Sequence, residues 1–445
     1  MSRRKRLPPE PVELNIENLA HDGRGVARLD GKAVFVHGAL PGEKVRGKIT
    51  RRRRDLDEAI TLDVLSASPD RAEPGCAFYD RCGGCSLQHM QPARQLEAKQ
   101  AMVLENLRRI GQVEPQQLLA PVSGPQWGYR HKARLAVRNV RGKGRVLVGF
   151  RERQSPYVAD MTRCEILHPS VGGLLEPLSA LIGSLSIRNR IPQIEVAVGD
   201  ALTVLVFRVL DAPGTDDQAQ LKAFAAQHDI EIQLQPGGPQ SVYALSEPAG
   251  ELYYSLPEHD VRLGFGALDF TQVNHALNRE LVNQALQRLA PGADERVLDL
   301  FCGLGNFSLP LARRAGEVLG VEGDEALVAR ARANADANGI ANARFAVADL
   351  HDGAALERAS WLRESFDAVL IDPPRSGARE LLPALAAMGH PRLLYVSCHP
   401  ATLARDAGLL VHEYGYALRE LGVLDMFPHT SHVESMALFE QDKGK

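Results

Sequence analysis

Two residues late in the chain have the type and setting for covalent chemistry. Cys398 lies in Ser397-Cys398-His399-Pro400, after an apolar strand, Leu393 to Val396, and before a helix opened by Pro400. The field at a helix amino terminus favours thiolate, the reactive form of cysteine, although a buried structural cysteine fits the same local sequence. Glu434 follows the turn Phe427-Pro428-His429-Thr430-Ser431-His432-Val433 and enters the last strand, with Val433 and Met436 around it. Apolar neighbours desolvate a carboxylate and raise its pKa, as a general base requires; a solvent-facing glutamate on an edge strand is the plainer reading. His429 and His432 have no further ligand at metal-binding spacing, so this turn is not expected to hold a metal.

A second group suits a nucleotide. Asp299-Leu-Phe301-Cys-Gly303-Leu-Gly305-Asn306-Phe-Ser308 joins a strand to a helix, and its glycines let backbone approach a ligand closely. Glu322 closes the next strand, where a carboxylate can accept hydrogen bonds from two ribose hydroxyls. Ser308 occupies the third glycine position of the dinucleotide pattern, so the ligand need not carry a pyrophosphate. Asp349 ends the following strand and could take an adenine amino group, or simply cap a turn. Asp372-Pro373-Pro374-Arg375 leaves the strand Phe366 to Ile371, and its prolines fix the carboxylate over the same sheet edge. Arg375 replaces the aromatic residue of the related amino-methylation motif, in which that ring stacks on a flipped base, so amino methylation is disfavoured.

The third group is sulfur-rich. Cys76-x5-Cys82-x2-Cys85, with Cys164 far downstream, offers four thiolates for an iron–sulfur cluster or zinc, and spacing does not choose between them. No export signal and no run of about 18 apolar residues is found, so a reducing cytoplasm is expected, with no membrane segment.

These groups need scaffolds. At roughly 150 residues per domain, 445 residues suggest about three, and 44% hydrophobic with 24% charged residues is ordinary for soluble domains. Residues 1–66 carry fourteen Lys/Arg against ten Asp/Glu, a balance of +4, leaving −7 for the rest of a chain with net charge −3. Two basic blocks, Arg3-Arg4-Lys5-Arg6 and Arg51-Arg52-Arg53-Arg54, flank a glycine-punctuated, strand-rich segment that reads as a small β-barrel suited to phosphates. A helix is expected from Pro92 to Gly111, packing on the catalytic region, and residues 112–268 read as mostly β with a helix near Asp217 to His228. After Leu268, strand and helix alternate: Val297 to Phe301, Val318 to Glu322, Arg344 to Val347, Ala368 to Ile371 and Leu393 to Val396 imply a parallel, doubly wound α/β sheet. Tyr416 to Leu424 and Val433 to Phe439 then suggest an antiparallel edge.

In order and approximate spacing, Phe270-Thr-Gln272-Val-Asn274, the Asp299 to Phe307 loop, Asp372-Pro-Pro-Arg375, Ser397-Cys398 and His432-Val-Glu434 make the chain resemble the bacterial RNA uracil-C5 methyltransferases over nearly its whole length. Having both the cysteine group and the amino-terminal barrel, it is most similar to the branch with a TRAM domain that acts on 23S ribosomal RNA. The resemblance implies a Rossmann-like class I methyltransferase domain over 269–445, an OB-like TRAM barrel over 7–66 and a central iron–sulfur and RNA-binding region over 67–268. It assigns Cys76, Cys82, Cys85 and Cys164 to a [4Fe-4S] cluster, and Gln272, Phe301, Asn306, Glu322, Asp349 and Asp372 to the S-adenosylmethionine pocket. It makes Cys398 the nucleophile that adds to carbon 6 of a flipped uracil and Glu434 the base that removes the carbon 5 proton. The strand containing Arg130, His131, Lys132 and Arg134 would hold RNA backbone, and no obligate protein partner is implied. Rival readings are methylation of another rRNA site or of tRNA, an RNA cytosine-C5 methyltransferase, and a non-catalytic cluster-containing RNA-binding protein. The second usually has a cysteine after its Asp-Pro motif, where this chain has Arg375-Ser376.

Overall fold

A computed structural model describes residues 10–441. The first basic block, Arg3 to Arg6, lies outside the described residues. The chain forms two compact units: one runs through Met102 and includes Arg151–Tyr157 and Phe427–His432, and the other takes Val103–Phe150, Val158–Met426 and the segment from Val433.

In the first unit, six strands among the described residues run in the order Val12–Asn15, Lys44–Arg52, Leu56–Ser66, Lys32–His37, Gly25–Leu29 and Asn18–Leu19. Alternation from Lys44 to Thr50 sends Val45 and Ile49 inward and Lys44, Arg46 and Lys48 outward, the period of two that a half-buried strand demands. The inward residues meet Leu14, Ile16, Val34, Val36 and Ala59 in one core, where fully burying a Leu, Ile or Val contributes about 1.5–3 kcal/mol. Beyond the strands, the buried Glu43 carboxylate pairs with Arg71 at 2.5 Å and accepts the Leu40 and Ser68 N–H groups, anchoring the chain that leads to the cysteine loop.

That loop is fixed by bonds rather than by regular structure. Gly83 N–H donates to Arg151 O, Arg153 donates to the Tyr79 and Cys85 carbonyls, and Ser86 and Leu87 N–H groups both donate to His429 O. The Gln95 amide donates to Leu87 O and Met90 O and accepts from His429 N–H, satisfying backbone groups that the loop would otherwise bury unpaired.

The second unit contains two large sheets. One has six strands among the described residues, ordered Tyr243–Ala244, Glu231–Gln235, Thr203–Arg208, Gln193–Val198, Lys132–Val140 and Arg145–Gly149. The expectation of mostly β structure here omits a helix, Leu175–Ser184, whose Leu175, Leu178 and Ile182 are buried along one face. The expected helix from Pro92 also changes character: it is α through Asn106 and π over Leu107–Gly111. Its end packs on the helix Pro400–His412, with the His412 ring 3.0 Å from Gly111 O.

The other sheet carries the candidate site. Among the described residues its order is Ala343–Val347, Glu317–Glu322, Arg296–Leu300, Ala368–Ile371, Arg392–Ser397, Glu434–Gln441, Tyr416–Leu424 and Gln117–Leu118. The first five are parallel; Glu434–Gln441 is antiparallel to both neighbours. Helix starts are encoded locally: Asn274 caps His275–Leu289, Asp324 caps Glu325–Ala337, and His399 caps Pro400–His412 with Pro400 in the first turn. The expected strand Val297 to Phe301 ends one residue early: it stops at Leu300, and Phe301 adopts φ 63°, turning the chain into the glycine loop. A left-handed phenylalanine is strained, and such residues cluster where a ligand loop needs a fixed course.

Candidate active site

Register gathers the candidate residues at one edge of the sheet. Glu322 ends its strand, Asp349 follows the next, and Phe301, Asp372 and Cys398 immediately follow Leu300, Ile371 and Ser397. Glu434 begins the antiparallel strand, and the Ser397–Ser435 pair sets Cys398 and Glu434 across from each other. Ser435 Oγ donates to Ser397 O at 3.1 Å, clamping the two strands beside the thiol. This is the carboxyl edge, where doubly wound sheets bind ligands.

The glycine loop is shaped for close approach. Gly303 and Gly305 have φ 55° and 97°, values that disfavour side-chain-bearing residues. Glu322 Oε2 accepts the Gly303 N–H at 3.1 Å, and Oε1 accepts those of Gly323 and Asp324, so the carboxylate is held beside the loop. Ser308, at the missing third glycine, donates from its hydroxyl to buried Asp299. Burial pushes Asp299 up to about 7, with the charges of Asp372 and Glu322 adding to the rise. Gln272 is half-buried in a segment tied to the central sheet by His131 N–H donating to Val273 O at 2.8 Å. Asp349 is exposed and accepts His351 N–H at 2.9 Å, an arrangement that also serves as a local turn cap.

At the reactive end the charge balance differs from the helix-terminus expectation. Burial pushes the Cys398 thiol up to about 11; the charges of Glu434 and Asp372 add to this, and Arg375 opposes it. Glu434, 2% exposed, is driven well above the usual carboxylate range, first by burial and then by Asp372. Asp372 is itself raised to about 7 by burial. The arrangement sets a thiol of reduced acidity beside two carboxyl groups of reduced acidity, the kinds of group that exchange protons near neutral pH.

The basic strand is less available than its sequence suggests. Lys132 is mostly buried and donates to Ala267 O, Arg130 donates to Lys132 O, and exposed Arg134 pairs with Glu195 at 2.5 Å. Two residues that sequence reasoning passed over support Asn306: Tyr254 and Asn278 hydrogen-bond its amide. Asn278 is buried on the helix after the Phe270 to Asn274 motif, a helical position that offered a signal; Tyr254 carried none.

The cysteines divide between the units. Cys76, Cys82 and Cys85 belong to the first and Cys164 to the second. Among the described residues no group of three or more His, Cys, Asp or Glu is gathered for a metal ion. The donor chemistry nevertheless suits a thiolate-held cluster: Cys82, Cys85 and Cys164 are buried, and Cys82 Sγ accepts Gly84 N–H at 3.4 Å. Burial pushes the Cys82 thiol up, with Cys76 adding to the rise.

The sequence profile of the tRNA (uracil-5-)-methyltransferase family matches residues 95–442, most of the chain. The chain belongs to that family. A TRAM domain profile matches residues 8–55. Among family members, the 23S rRNA (uracil(1939)-C(5))-methyltransferase RlmD of Alkalilimnicola ehrlichii is 55% identical over 441 residues, covering 99% of each chain. The protein of the same name from Methylococcus capsulatus is 51% identical over 440 residues, again covering 99% of each. The crystal structure of Pyrococcus abyssi tRNA (uracil-54, C5)-methyltransferase in complex with S-adenosyl-L-homocysteine covers 96% of this chain and 100% of its own, at 24% identity and a TM-score of 0.73. That likeness establishes the shared fold: a class I methyltransferase sheet in the carboxyl-terminal part.

Proposed function

We infer that this protein transfers the methyl group of S-adenosylmethionine to carbon 5 of a uridine in 23S ribosomal RNA, the uracil numbered 1939 in its relatives' names. The carrying observation is the Cys398–Glu434 juxtaposition at the carboxyl edge, supported by full-length identity of 50% or more to proteins of that activity. No described helix is long and apolar enough to span a membrane, and the cytoplasm is the proposed location.

Carbon 5 of uracil is a poor nucleophile. Addition of the Cys398 sulfur to carbon 6 turns the ring into an enolate whose carbon 5 can displace the methyl from the sulfonium, leaving S-adenosylhomocysteine. The thiol proton must leave first; Asp372, whose charge acts on the sulfur, takes it and returns it when the sulfur leaves, which keeps Glu434 free for the later step. Carbon 5 then carries both methyl and hydrogen. Glu434 removes that proton, the carbon–sulfur bond breaks by β-elimination, and the aromatic ring and the thiol are restored. Reaching carbon 6 requires the base to leave its stack, so a flipped uridine is the bound form.

S-adenosylmethionine fits along the sheet edge with adenine near Asp349, ribose at Glu322, and the sulfonium toward Cys398, contacted by Phe301, Asn306, Gln272 and Asp372. Cys76, Cys82, Cys85 and Cys164 are proposed to hold a [4Fe-4S] cluster, which would supply a covalent brace between distant chain segments. The barrel, with Lys44, Arg46 and Lys48 on its outer face, is proposed to hold RNA backbone.

The test is transfer of labelled methyl from S-adenosylmethionine to rRNA lacking the modification, followed by mapping. Methylation at a single 23S uridine, abolished in Cys398→Ala while S-adenosylhomocysteine binding persists, is expected. Label on cytosine, or on tRNA alone, would overturn the reading.

A further inference from the structure

Asn306 is held more tightly than a half-exposed loop residue needs to be. Its Oδ1 accepts two hydrogen bonds, from Tyr254 Oη at 2.9 Å and from Asn278 Nδ2 at 2.8 Å. Its Nδ2 donates to Asn278 Oδ1 at 3.0 Å. Both supports come from rigid elements: Tyr254, 2% exposed, lies on the strand Tyr253–Leu256, and Asn278, 1% exposed, lies on the helix capped by Asn274. Tyr254 is packed in turn against the His275 ring, 5.0 Å between centroids.

The orientation of the amide follows from proton bookkeeping. A buried phenol keeps its proton and must place it on an acceptor, and among the described residues the Tyr254 hydroxyl has no partner besides Asn306. The atom it meets is therefore the amide oxygen, not the nitrogen. With two donors on Oδ1, both lone pairs are occupied, and one N–H of Nδ2 remains. Asn306 can meet a ligand only as a donor.

Strand order says which part of the ligand that is. Asp349, Glu322, the Phe301–Asn306 loop and Asp372 follow successive neighbours in the sheet, each about 4.8 Å from the next. A nucleoside with its base at the first and its ribose at the second brings its amino-acid tail to the third. That tail ends in an ammonium, which donates, and a carboxylate, which accepts. We propose that Tyr254 and Asn278 are positioning residues that lock Asn306 as a donor to the α-carboxylate of S-adenosylmethionine, and that the ammonium is turned away from it. This rests on the reading of the pocket given above.

Binding of two ligands to the full-length protein, measured by calorimetry, separates this role from a general structural one. S-adenosylhomocysteine carries the amino-acid tail; 5′-methylthioadenosine shares the nucleoside and lacks it. Tyr254→Phe removes one hydrogen bond without changing the ring, and is expected to weaken S-adenosylhomocysteine about tenfold while leaving methylthioadenosine unmoved, the scale of one charge-assisted hydrogen bond. In turnover it should raise KM for S-adenosylmethionine and spare kcat. Asn306→Asp, which puts an acceptor against the carboxylate, should cost S-adenosylhomocysteine more than Tyr254→Phe does, again without effect on methylthioadenosine. Equal losses for both ligands, or tail-bearing ligand bound as well by Asn306→Asp as by the parent, would overturn the assignment. If the parent protein binds neither ligand, the pocket reading itself fails.

Discussion

At Cys398, burial and two carboxylates outweigh the helix amino terminus. The dipole's favourable field is worth about 0.3–1 kcal/mol at an ordinary terminus, whereas burial together with like charge raises the thiol to about 11. A resting thiol of this kind reacts slowly with alkylating agents at neutral pH. Modification of Cys398 by iodoacetamide, followed by peptide mass mapping, should quicken about tenfold per pH unit from pH 7 to 9, tracking its thiolate fraction. Glu434→Gln should speed it at alkaline pH, where Glu434 is ionised and its negative charge raises the thiol pKa; an unchanged rate throughout the alkaline range would mean that Glu434 does not act on the sulfur. The sequence showed which residues could be nucleophile and base, since type and flanking motif are local. Their protonation was not legible, because Asp372, Glu434 and Cys398 meet only through sheet register. Ser308 is similar: it reads as a departure from a glycine pattern, and the structure shows its hydroxyl used on Asp299.

Among the elements, the helix Pro400–His412 matters because Cys398 lies two residues before it, next to its cap His399. Its outer contact is the π-helical turn Leu107–Gly111, where a Cβ on Gly111 would come within 2.3 Å of Ala404 O. Gly111→Ala should cost about 1–3 kcal/mol, the usual range for overpacking, and lower both Tm and methyl transfer. Gly183→Ala is the contrast: exposed near the end of Leu175–Ser184, with nothing within 4 Å of its added Cβ, it should be neutral or gain up to about 1 kcal/mol. Matching losses in thermal melts of the two variants would remove the packing argument. The signals for the inner parallel strands were strong because Ala368–Ile371, and Leu393 to Val396 within Arg392–Ser397, are runs of buried apolar residues, whereas the edge strand Ala343–Val347 buries only Phe345. The helix at Leu175–Ser184 was hidden in a stretch dominated by strands, and the π-helical turn Leu107–Gly111 has its contact with His412, 301 residues away in the chain, where local sequence cannot show it.

For the whole molecule, three of the four candidate cluster cysteines belong to the first unit, and Cys164 belongs to the second with Cys398 and Glu434. The cysteine loop is stitched by Arg153, Gln95 and His429, and protons on its thiols must be displaced by any cluster that it receives. Protein purified without oxygen should be brown and contain iron and acid-labile sulfide, and Cys82→Ser should lose both; colourless protein with stoichiometric zinc would contradict the cluster. The proposed RNA-facing role rests on a charge asymmetry, yet several cations in the second basic block are already paired, Arg53 with Glu58 at 2.8 Å and Arg52 with Asp57 at 3.6 Å. Counting charges could not reveal that, since the acids follow on the adjoining strand. The most direct test of the covalent mechanism is incubation with S-adenosylmethionine and 23S RNA carrying 5-fluorouridine at the target. Fluorine cannot leave as a cation, so elimination is blocked once the methyl is transferred. A protein–RNA species stable to denaturing gel electrophoresis, with the nucleotide on Cys398 and dependent on that residue, is predicted; complete absence of such a species, with RNA and donor both bound, would contradict it.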